Sequence, residues 1–220
     1  MSRTAIVLLL GGGGHGVVVG DAARAAGYIV AGCLDDEHGI AGRAEEAGLK
    51  WLGGLDDLAE VVTKLSDELL IHAAFGDGVL RRQWLENARA ECPGASLAPI
   101  IHPSSIVSPS AMIEDGAFIG PLAIVNARAR IGRGTIVNSG AIIEHDCLIG
   151  PFAHIAPGAI LLGAATVGDD AMIGSGAKVL PGVEIGADCT LGAGAVATVN
   201  LPPGTTATGV PARAVLTTES

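Results

Sequence analysis

An aliphatic side chain occupies every sixth position of the C-terminal half of the chain, from Ile101 to Leu191. All sixteen positions of this series are Ile, Val or Leu, and no insertion interrupts the register. A small residue, most often Ala, follows four positions after each of them. A period of six matches neither the 3.6-residue repeat of an amphipathic helix nor the two-residue alternation of a strand. It indicates a solenoid whose wall turns a corner once in every hexad.

This repeat predicts which side chains fill the solenoid. The aliphatic residues point inward from short flat faces, and the small residues lie inside near the corners. Glycines recur at fixed points of the hexads, as at Gly150 and Gly168, where we expect them to supply backbone freedom at the turns. A low-complexity tract would not keep one register through sixteen repeats. The pattern resembles the hexapeptide-repeat, left-handed parallel β-helix, in which three hexads form one triangular coil.

The first hundred residues follow a different pattern. Continuous apolar runs at 5–10, 29–34 and 69–74 predict buried strands, with helices predicted at 17–26 and 79–90. Trp51 is predicted to lie in or beside a helix and to belong to the core. Alternating strands and helices predict an α/β, Rossmann-like half domain. The predicted domains are this α/β domain at 1–98, a left-handed β-helix domain at 99–200 and a C-terminal tail at 201–220.

A glycine-rich loop follows the first predicted strand. Gly11, Gly13 and Gly16 satisfy the G-x-G-x-x-G spacing, and Asp35 lies about twenty residues further on, where a dinucleotide fold places its ribose-binding acid. Three interpretations remain open: a tight turn without a ligand, an NAD site, or a site for a nucleotide-linked sugar. Only about one mononucleotide half precedes the repeats, which favours a mononucleotide carrier.

Composition narrows the class of partner. The net charge of −10 argues against nucleic acid, because binding to phosphates requires clustered Lys and Arg. The four cysteines lack metal-ligand spacing, which is typical of a reduced, cytoplasmic protein. No apolar segment is long enough to span a bilayer, so no membrane insertion is expected.

One stretch departs from the regular repeat, at 138–147. His145 takes an outward position, Asp146 follows it directly, and His154 comes half a coil later. A neutral imidazole suits the removal of a proton from an attacking amine or hydroxyl, and a neighbouring carboxylate can orient the ring. Two alternatives are surface histidines without a role, and a zinc site built from His102, His145 and His154. The spacing of these histidines lacks the close pair of a zinc site, and no metal is expected.

Several motifs together carry a resemblance that covers nearly all of the chain. They are the loop at Gly11–Gly16, the Ile-His-Pro-Ser run at 101–104, the Asn138 to Cys147 run with the later His154, and the Gly-Val-Pro-Ala tail at 209–212. The chain resembles the sugar O-/N-acyltransferases related to sialic acid O-acetyltransferase. Within them it is most similar to the N-acetyltransferases that modify a 4-amino sugar on a nucleotide carrier.

The resemblance implies a function and roles for particular residues. An acetyl group would pass from acetyl-CoA to the amine of a nucleotide-linked 4-amino-6-deoxyhexose, for surface glycan synthesis. A sugar O-acetyltransferase that acts on a sialic-acid-like hydroxyl, and a binding scaffold without chemistry, are the alternatives. The catalytic residues would be His145 as general base and Asp146, which tunes it. The acetyl-CoA-binding residues would be His154 from a neighbouring subunit, Gly163, Ser175 and Ala193. The substrate-binding residues would be Gly13, Gly14, His15, Asp35, Asp36 and Asn138. The active form would be a homotrimer with its sites at the subunit interfaces.

Overall fold

The computed structural model describes residues 5–37, 39–65 and 69–215. The chain divides into two compact units, Met1–Pro103 and Ser104–Ser220. The last five residues of the predicted C-terminal tail lie outside the described residues. None of the helices in the described part of the chain has the length and apolar character needed to cross a membrane.

The first unit alternates strands and helices. In chain order they are β1 (Ile6–Leu10), α1 (Gly14–Ala25), β2 (Ile29–Leu34), α2 (Ile40–Glu46), β3 (Trp51–Gly53), a 3₁₀ turn (Leu55–Asp57), α3 (Leu58–Leu65), β4 (Leu69–Ala73), α4 (Gly78–Glu91) and β5 (Ile100–Ile101). The strands β3-β2-β1-β4 lie side by side in that order and run parallel. Both central apolar runs are buried where predicted, since Val7 to Leu10 and Cys33 to Leu34 are almost completely inaccessible.

The prediction for Trp51 was wrong in two respects. Trp51 begins β3, at the edge of the sheet, instead of a helix. Its side chain is also exposed, because only one neighbouring strand covers an edge position. Its indole N–H donates to the carbonyl oxygen of Asp35 at 3.2 Å, which ties the edge strand to the end of β2.

The second unit is built from two-residue strands separated by four-residue corners. They are β6 (Ile106–Val107), β7 (Met112–Ile113), β8 (Phe118–Ile119), β9 (Ile124–Val125), β10 (Arg130–Ile131), β11 (Ile136–Val137), β12 (Ile142–Ile143), β13 (Leu148–Ile149), β14 (His154–Ile155), β15 (Ile160–Leu161), β16 (Thr166–Val167), β17 (Met172–Ile173), β18 (Lys178–Val179), β19 (Glu184–Ile185), β20 (Thr190–Leu191) and β21 (Val196–Ala197). A longer strand, β22 (Thr206–Thr208), and an antiparallel β23 (Arg213–Ala214) end the unit.

From β6 to β18, each strand pairs in parallel with the strand eighteen residues later, as Ile136 pairs with His154. Three sheets result, which are the three walls of the predicted β-helix. From Ile119 to Leu191 the aliphatic residue of every hexad is buried, and so is the small residue at every corner from Ala117 to Ala195. The predicted fold class, a Rossmann-like half domain followed by a left-handed parallel β-helix, is confirmed.

The reason that we gave for glycines such as Gly150 and Gly168 was wrong. These two have no left-handed backbone; the left-handed corner positions are occupied by other residues, including Asp146, Ala164 and the glycines Gly140 and Gly158. A Cβ at Gly150 would lie 2.6 Å from the backbone nitrogen of Asp169 on the next coil, and one at Gly168 would lie 2.4 Å from that of Ala187. These glycines are required because consecutive coils approach closely at these points.

Candidate active site

His145 lies at a corner that we call the second corner, formed by residues 126–129, 144–147 and 162–165 on consecutive coils. Its side chain is 59% exposed, because the corner directs it outward from the packed interior. Nδ1 of His145 and Oδ2 of Asp146 are 2.8 Å apart. The sequence left open whether this carboxylate reaches the ring, and the structure places the two groups in hydrogen-bond contact.

Asp146 is held from its other side by Arg128, one coil earlier. Nε of Arg128 donates to Oδ1 at 2.6 Å, and Nη2 donates to Oδ2 at 2.7 Å. The hydrogen bonds from Arg128 and then from His145 hold the pKa of the Asp146 carboxyl well below its usual range. An ionised carboxylate can only accept, so Nδ1 of His145 carries the proton and Nε2 has a free lone pair. The ring is therefore in the tautomer that a general base requires.

Arg128 is not among the site residues predicted from the sequence. The signal that points to it is its position eighteen residues, or three hexads, before Asp146. That spacing places two residues at the same point of consecutive coils, and there opposite charges can pair.

Gly163 lies directly below the imidazole of His145. A Cβ at this position would be 2.7 Å from Cε1 and 2.8 Å from Nε2 of the ring. The backbone N–H of Ala164 donates to the carbonyl oxygen of His145 at 2.9 Å, which fixes the spacing of the two coils here. The ring can occupy its place only because residue 163 has no side chain.

Cys147 follows Asp146 but offers no nucleophile. Its side chain is buried at the inner side of the corner, and this burial raises the pKa of the thiol to about 11. At neutral pH the group is therefore a thiol, and the thiolate is the nucleophilic form.

Asn138 and His154 form a second pair, on another part of the coil. Oδ1 of Asn138 accepts from the backbone N–H of Ser139 at 2.8 Å, so Nδ2 faces His154 and lies 3.2 Å from its Nε2. An amide nitrogen only donates, so Nε2 of His154 is the acceptor and its proton is on Nδ1. Asn138 thus fixes the tautomer of His154.

The predicted residues of this unit fall into two groups on one chain. His145, Asp146 and Gly163 lie at the second corner. Asn138, Ser175 and Ala193 lie at the preceding corner of their coils, which we call the first corner (138–141, 174–177 and 192–195), and His154 is in the strand β14 that leads to it. The wall that contains β12 separates the two corners. Both Ser175 and Ala193 are exposed.

In the first unit, a cavity of about 590 Å³ opens at the carboxyl ends of the strands. Its lining includes all five of the predicted substrate-binding residues of this unit: Gly13, Gly14, His15, Asp35 and Asp36. Phe75, Gly76 and Trp84 also line it. Ligands of open parallel sheets bind at this edge.

The glycine loop of this cavity is held by Asp35. Its Oδ2 accepts from the backbone N–H of Gly12 at 2.7 Å, and its Oδ1 accepts from that of Glu37 at 2.9 Å. The side chain is almost completely buried, at 8% exposure. Asp36 is exposed, and its Oδ1 accepts from the backbone N–H of Leu55 at 2.7 Å. Asp35 shapes the loop, whereas Asp36 faces the open part of the cavity.

Known proteins share both units. Residues 6–88 match the PglD N-terminal domain family, and residues 164–198 match the bacterial transferase hexapeptide (six repeats) family. PerB from Caulobacter crescentus, solved with CoA and GDP-perosamine, is 36% identical with a TM-score of 0.87, over 97% of this chain and 98% of that chain. The acetyltransferase domain of PglB from Neisseria gonorrhoeae, solved with acetyl coenzyme A, is 35% identical with a TM-score of 0.84, over 96% of this chain and 100% of that one. The chain belongs to the family of sugar N-acetyltransferases that includes PerB and PglB.

A curated member of the family matches over a shorter region. UDP-N-acetylbacillosamine N-acetyltransferase from Bacillus subtilis is 36% identical over 114 residues, so the chain spans about half the length of that relative. The family membership that the sequence motifs indicated is confirmed, and it favours an N-acetyltransferase over the hydroxyl-directed enzyme and over the scaffold. The roles of the individual site residues stay predictions. That no metal takes part also stays a prediction; in the described ranges, no three His, Cys, Asp or Glu side chains are grouped so as to hold a metal ion.

Proposed function

We propose that this chain transfers the acetyl group of acetyl-CoA to the amine of a nucleotide-linked amino sugar of the 4-amino-6-deoxyhexose type, for surface glycan synthesis in the cytoplasm. The observation that carries the proposal is the His145–Asp146 pair above Gly163, in a chain that is similar along almost its full length to an enzyme solved with CoA and GDP-perosamine. His145 of this pair is the proposed general base, and membership of the family indicates the class of reaction.

The chemistry needs one proton acceptor. The amine nitrogen of the sugar attacks the thioester carbonyl carbon, and Nε2 of His145 takes a proton from that nitrogen. Nearby hydrogen-bond donors stabilise the tetrahedral oxyanion that forms. The carbon–sulfur bond then breaks and the amide is complete. The departing CoA thiolate takes up the proton that Nε2 of His145 had removed from the amine. No acyl-enzyme is required, which agrees with the buried thiol of Cys147.

The cavity of the first unit is proposed to hold the nucleotide part of the acceptor. Gly13 is the N-cap of α1, whose first turn has no acidic side chain, and helix N-termini attract phosphate groups. Among the described residues, a Cβ at Gly14 would meet no atom within 4 Å. The absence of side chains at 13 and 14 therefore leaves room for a diphosphate, with His15 beside it. Asp36 faces the cavity where it can accept hydrogen bonds from sugar or base.

A neighbouring copy of the chain is proposed to complete the site. The candidate groups for acetyl-CoA, namely His154, Ser175 and Ala193, lie across a wall from His145 in one chain. In a homotrimer, the first corner of one subunit would face the second corner of the next. His154 would then contact the thioester, with Gly163, Ser175 and Ala193 along the pantetheine and Asn138 at the substrate. Light scattering coupled to size-exclusion chromatography tests this, and a monomer that acetylates its acceptor at full rate would contradict it.

The deciding experiment measures CoA release from acetyl-CoA with UDP- and GDP-linked 4-amino-6-deoxyhexoses. The same sugars with a hydroxyl in place of the amine serve as the second acceptor class. His145→Asn should lower kcat by about 10²–10⁴, as expected for the loss of a general base. His102→Asn, which removes a histidine outside the proposed site, should keep the wild-type rate. Equal rates for wild type and His145→Asn would reject the assignment.

A further inference from the structure

The Arg128–Asp146 pair joins two consecutive coils beside the proposed base. Both residues take the left-handed backbone conformation at the second corner, with φ of 59° and 63°. This repeated geometry places their side chains one above the other on the outer surface. The guanidinium donates one hydrogen bond to each carboxylate oxygen, at 2.6 and 2.7 Å. Two bonds from a planar guanidinium fix both the position and the plane of a carboxylate.

The plane of this carboxylate sets the direction of the bond to the imidazole. Oδ2 of Asp146 accepts from Nη2 of Arg128 and from Nδ1 of His145 at the same time. The terminal torsion of an Asp side chain is soft, so a carboxylate bonded to the ring alone would turn easily. The two hydrogen bonds from Arg128 prevent this rotation of the carboxylate. The imidazole that is bonded to Asp146 therefore keeps one orientation above Gly163.

The Arg128–Asp146 ion pair contributes little to the free energy of unfolding. The side chains of Arg128 and Asp146 are 66% and 37% exposed, and solvent screens an ion pair between exposed side chains. Its effect is therefore expected in the geometry of the site and not in the free energy of unfolding. We propose that Arg128 is a positioning residue for acetyl transfer: it holds Asp146 so that His145 presents Nε2 to the acceptor amine. This inference rests on the proposed function.

The charge of Arg128 has a second consequence for the ring. The charged side chains at the second corner are Arg128, Glu144 and Asp146. Without the guanidinium, the Asp146 carboxylate that accepts from Nδ1 would no longer have a positive partner, and it would favour the protonated form of the imidazole. Removal of Arg128 should therefore move the acidic limb of the rate profile to higher pH, because more of the base is then protonated near neutrality.

The test compares Arg128→Met with Arg130→Met, which removes an exposed arginine two residues away. We expect Arg128→Met to lower kcat about 10- to 100-fold, the scale of a misplaced catalytic group. The KM for acetyl-CoA and the Tm should stay near the wild-type values, and the acidic limb should move to higher pH. Arg130→Met should keep the wild-type profile. A wild-type kcat and pH profile for Arg128→Met would overturn the inference.

A double-mutant cycle separates positioning from an independent role. In an Asp146→Asn background, Arg128→Met should cost less than about 2-fold, because the group through which it acts is already altered. Additive losses would overturn the inference.

An activity-independent readout is the Nδ1–H resonance of His145 in the NMR spectrum. It should shift or broaden in Arg128→Met and stay unchanged in Arg130→Met. If the wild type acetylates no amino sugar, the proposed function fails, and this resonance still decides about Arg128, since an unchanged signal contradicts positioning.

Discussion

A methyl group added to Gly163 would lie 2.8 Å from Nε2 of His145. The two residues occupy the same point of consecutive coils, and a backbone hydrogen bond of 2.9 Å between Ala164 and His145 holds those coils together. The coil spacing cannot increase locally to admit a side chain. The glycine therefore determines where the proposed base can lie.

Gly163→Ala should displace the imidazole from Asp146 and lower kcat/KM about 10- to 100-fold. The Tm should change little, because the side chain that has to move is exposed and the backbone of Gly163 is not left-handed. Steady-state kinetics and a thermal melt check both parts. Ala164→Gly, which removes a methyl group from the adjoining exposed position, is the matched control and should remain active. A Gly163→Ala enzyme with wild-type kcat/KM would contradict the contact.

Asn138 should govern the protonation of His154. Asn138→Asp replaces the donor at 3.2 Å with an acceptor, so Nε2 of His154 would have to carry the proton. We expect the KM for acetyl-CoA to rise and kcat to fall about 10-fold, which is the scale of one altered hydrogen bond of about 1.4 kcal/mol. Ser139→Ala, which removes only a contact of 3.4 Å, should behave as wild type. Unchanged kinetics for Asn138→Asp would remove His154 from the proposed acetyl-CoA site.

Substitutions at two glycines of the loop at 11–16 should have different effects, one on ligand binding and the other on folding. Gly13→Val places a side chain in the cavity, and a Cβ at this position would meet only Ile40 Cδ1, at 4.0 Å, among the described atoms near it. It should raise the KM for the nucleotide sugar at least about 10-fold and leave the Tm and the KM for acetyl-CoA unchanged.

Gly16→Ala is the contrasting variant. Its Cβ would lie 2.3 Å from the carbonyl oxygen of Gly11, so it should destabilise the first unit by about 1–3 kcal/mol. Urea unfolding followed by tryptophan fluorescence measures this, since both tryptophans, Trp51 and Trp84, belong to that unit. If Gly13→Val kept the wild-type KM for the nucleotide sugar, the proposed ligand would not occupy this cavity.

His72 should make the first unit sensitive to acid. It is completely buried in β4, and burial, followed by the nearby charges of His15 and Arg81, lowers its pKa to about 3. The unfolded chain binds a proton near pH 6.5 and the folded chain does not. Stability is therefore lost as the pH falls from about 6.5 towards 3, by up to about 1.4 kcal/mol per pH unit from this group.

His72→Gln removes this titration and should flatten the decline. Urea unfolding at pH 7, 6, 5 and 4, followed by tryptophan fluorescence, gives the free energy of unfolding for both proteins. The difference between wild type and variant should change steadily below pH 6.5. Parallel curves for the two proteins would show that the buried imidazole takes no part in acid unfolding.

Much of the fold could be predicted because the repeat is strict. A hexad with one aliphatic and one small residue allows only one side of the chain to face inward, so the walls, the corners and the buried set all follow. The short edge strand of the sheet in the first unit could not be predicted in this way. β3 is three residues long and carries the exposed Trp51, so it lacks the continuous apolar run that identified β1 and β2.

The sequence by itself determined the two-unit architecture, the reaction family and the identity of the candidate base, since periodicity and short motifs are local properties of the chain. Only the tertiary structure decided that Asp146 reaches His145, that Arg128 donates two hydrogen bonds to Asp146, and that Gly163 lies beneath the ring. These contacts join residues that are neighbours along the chain or one coil apart, and they depend on the direction of each side chain at a left-handed corner. That direction is set by the stacking of the coils, which no local pattern encodes.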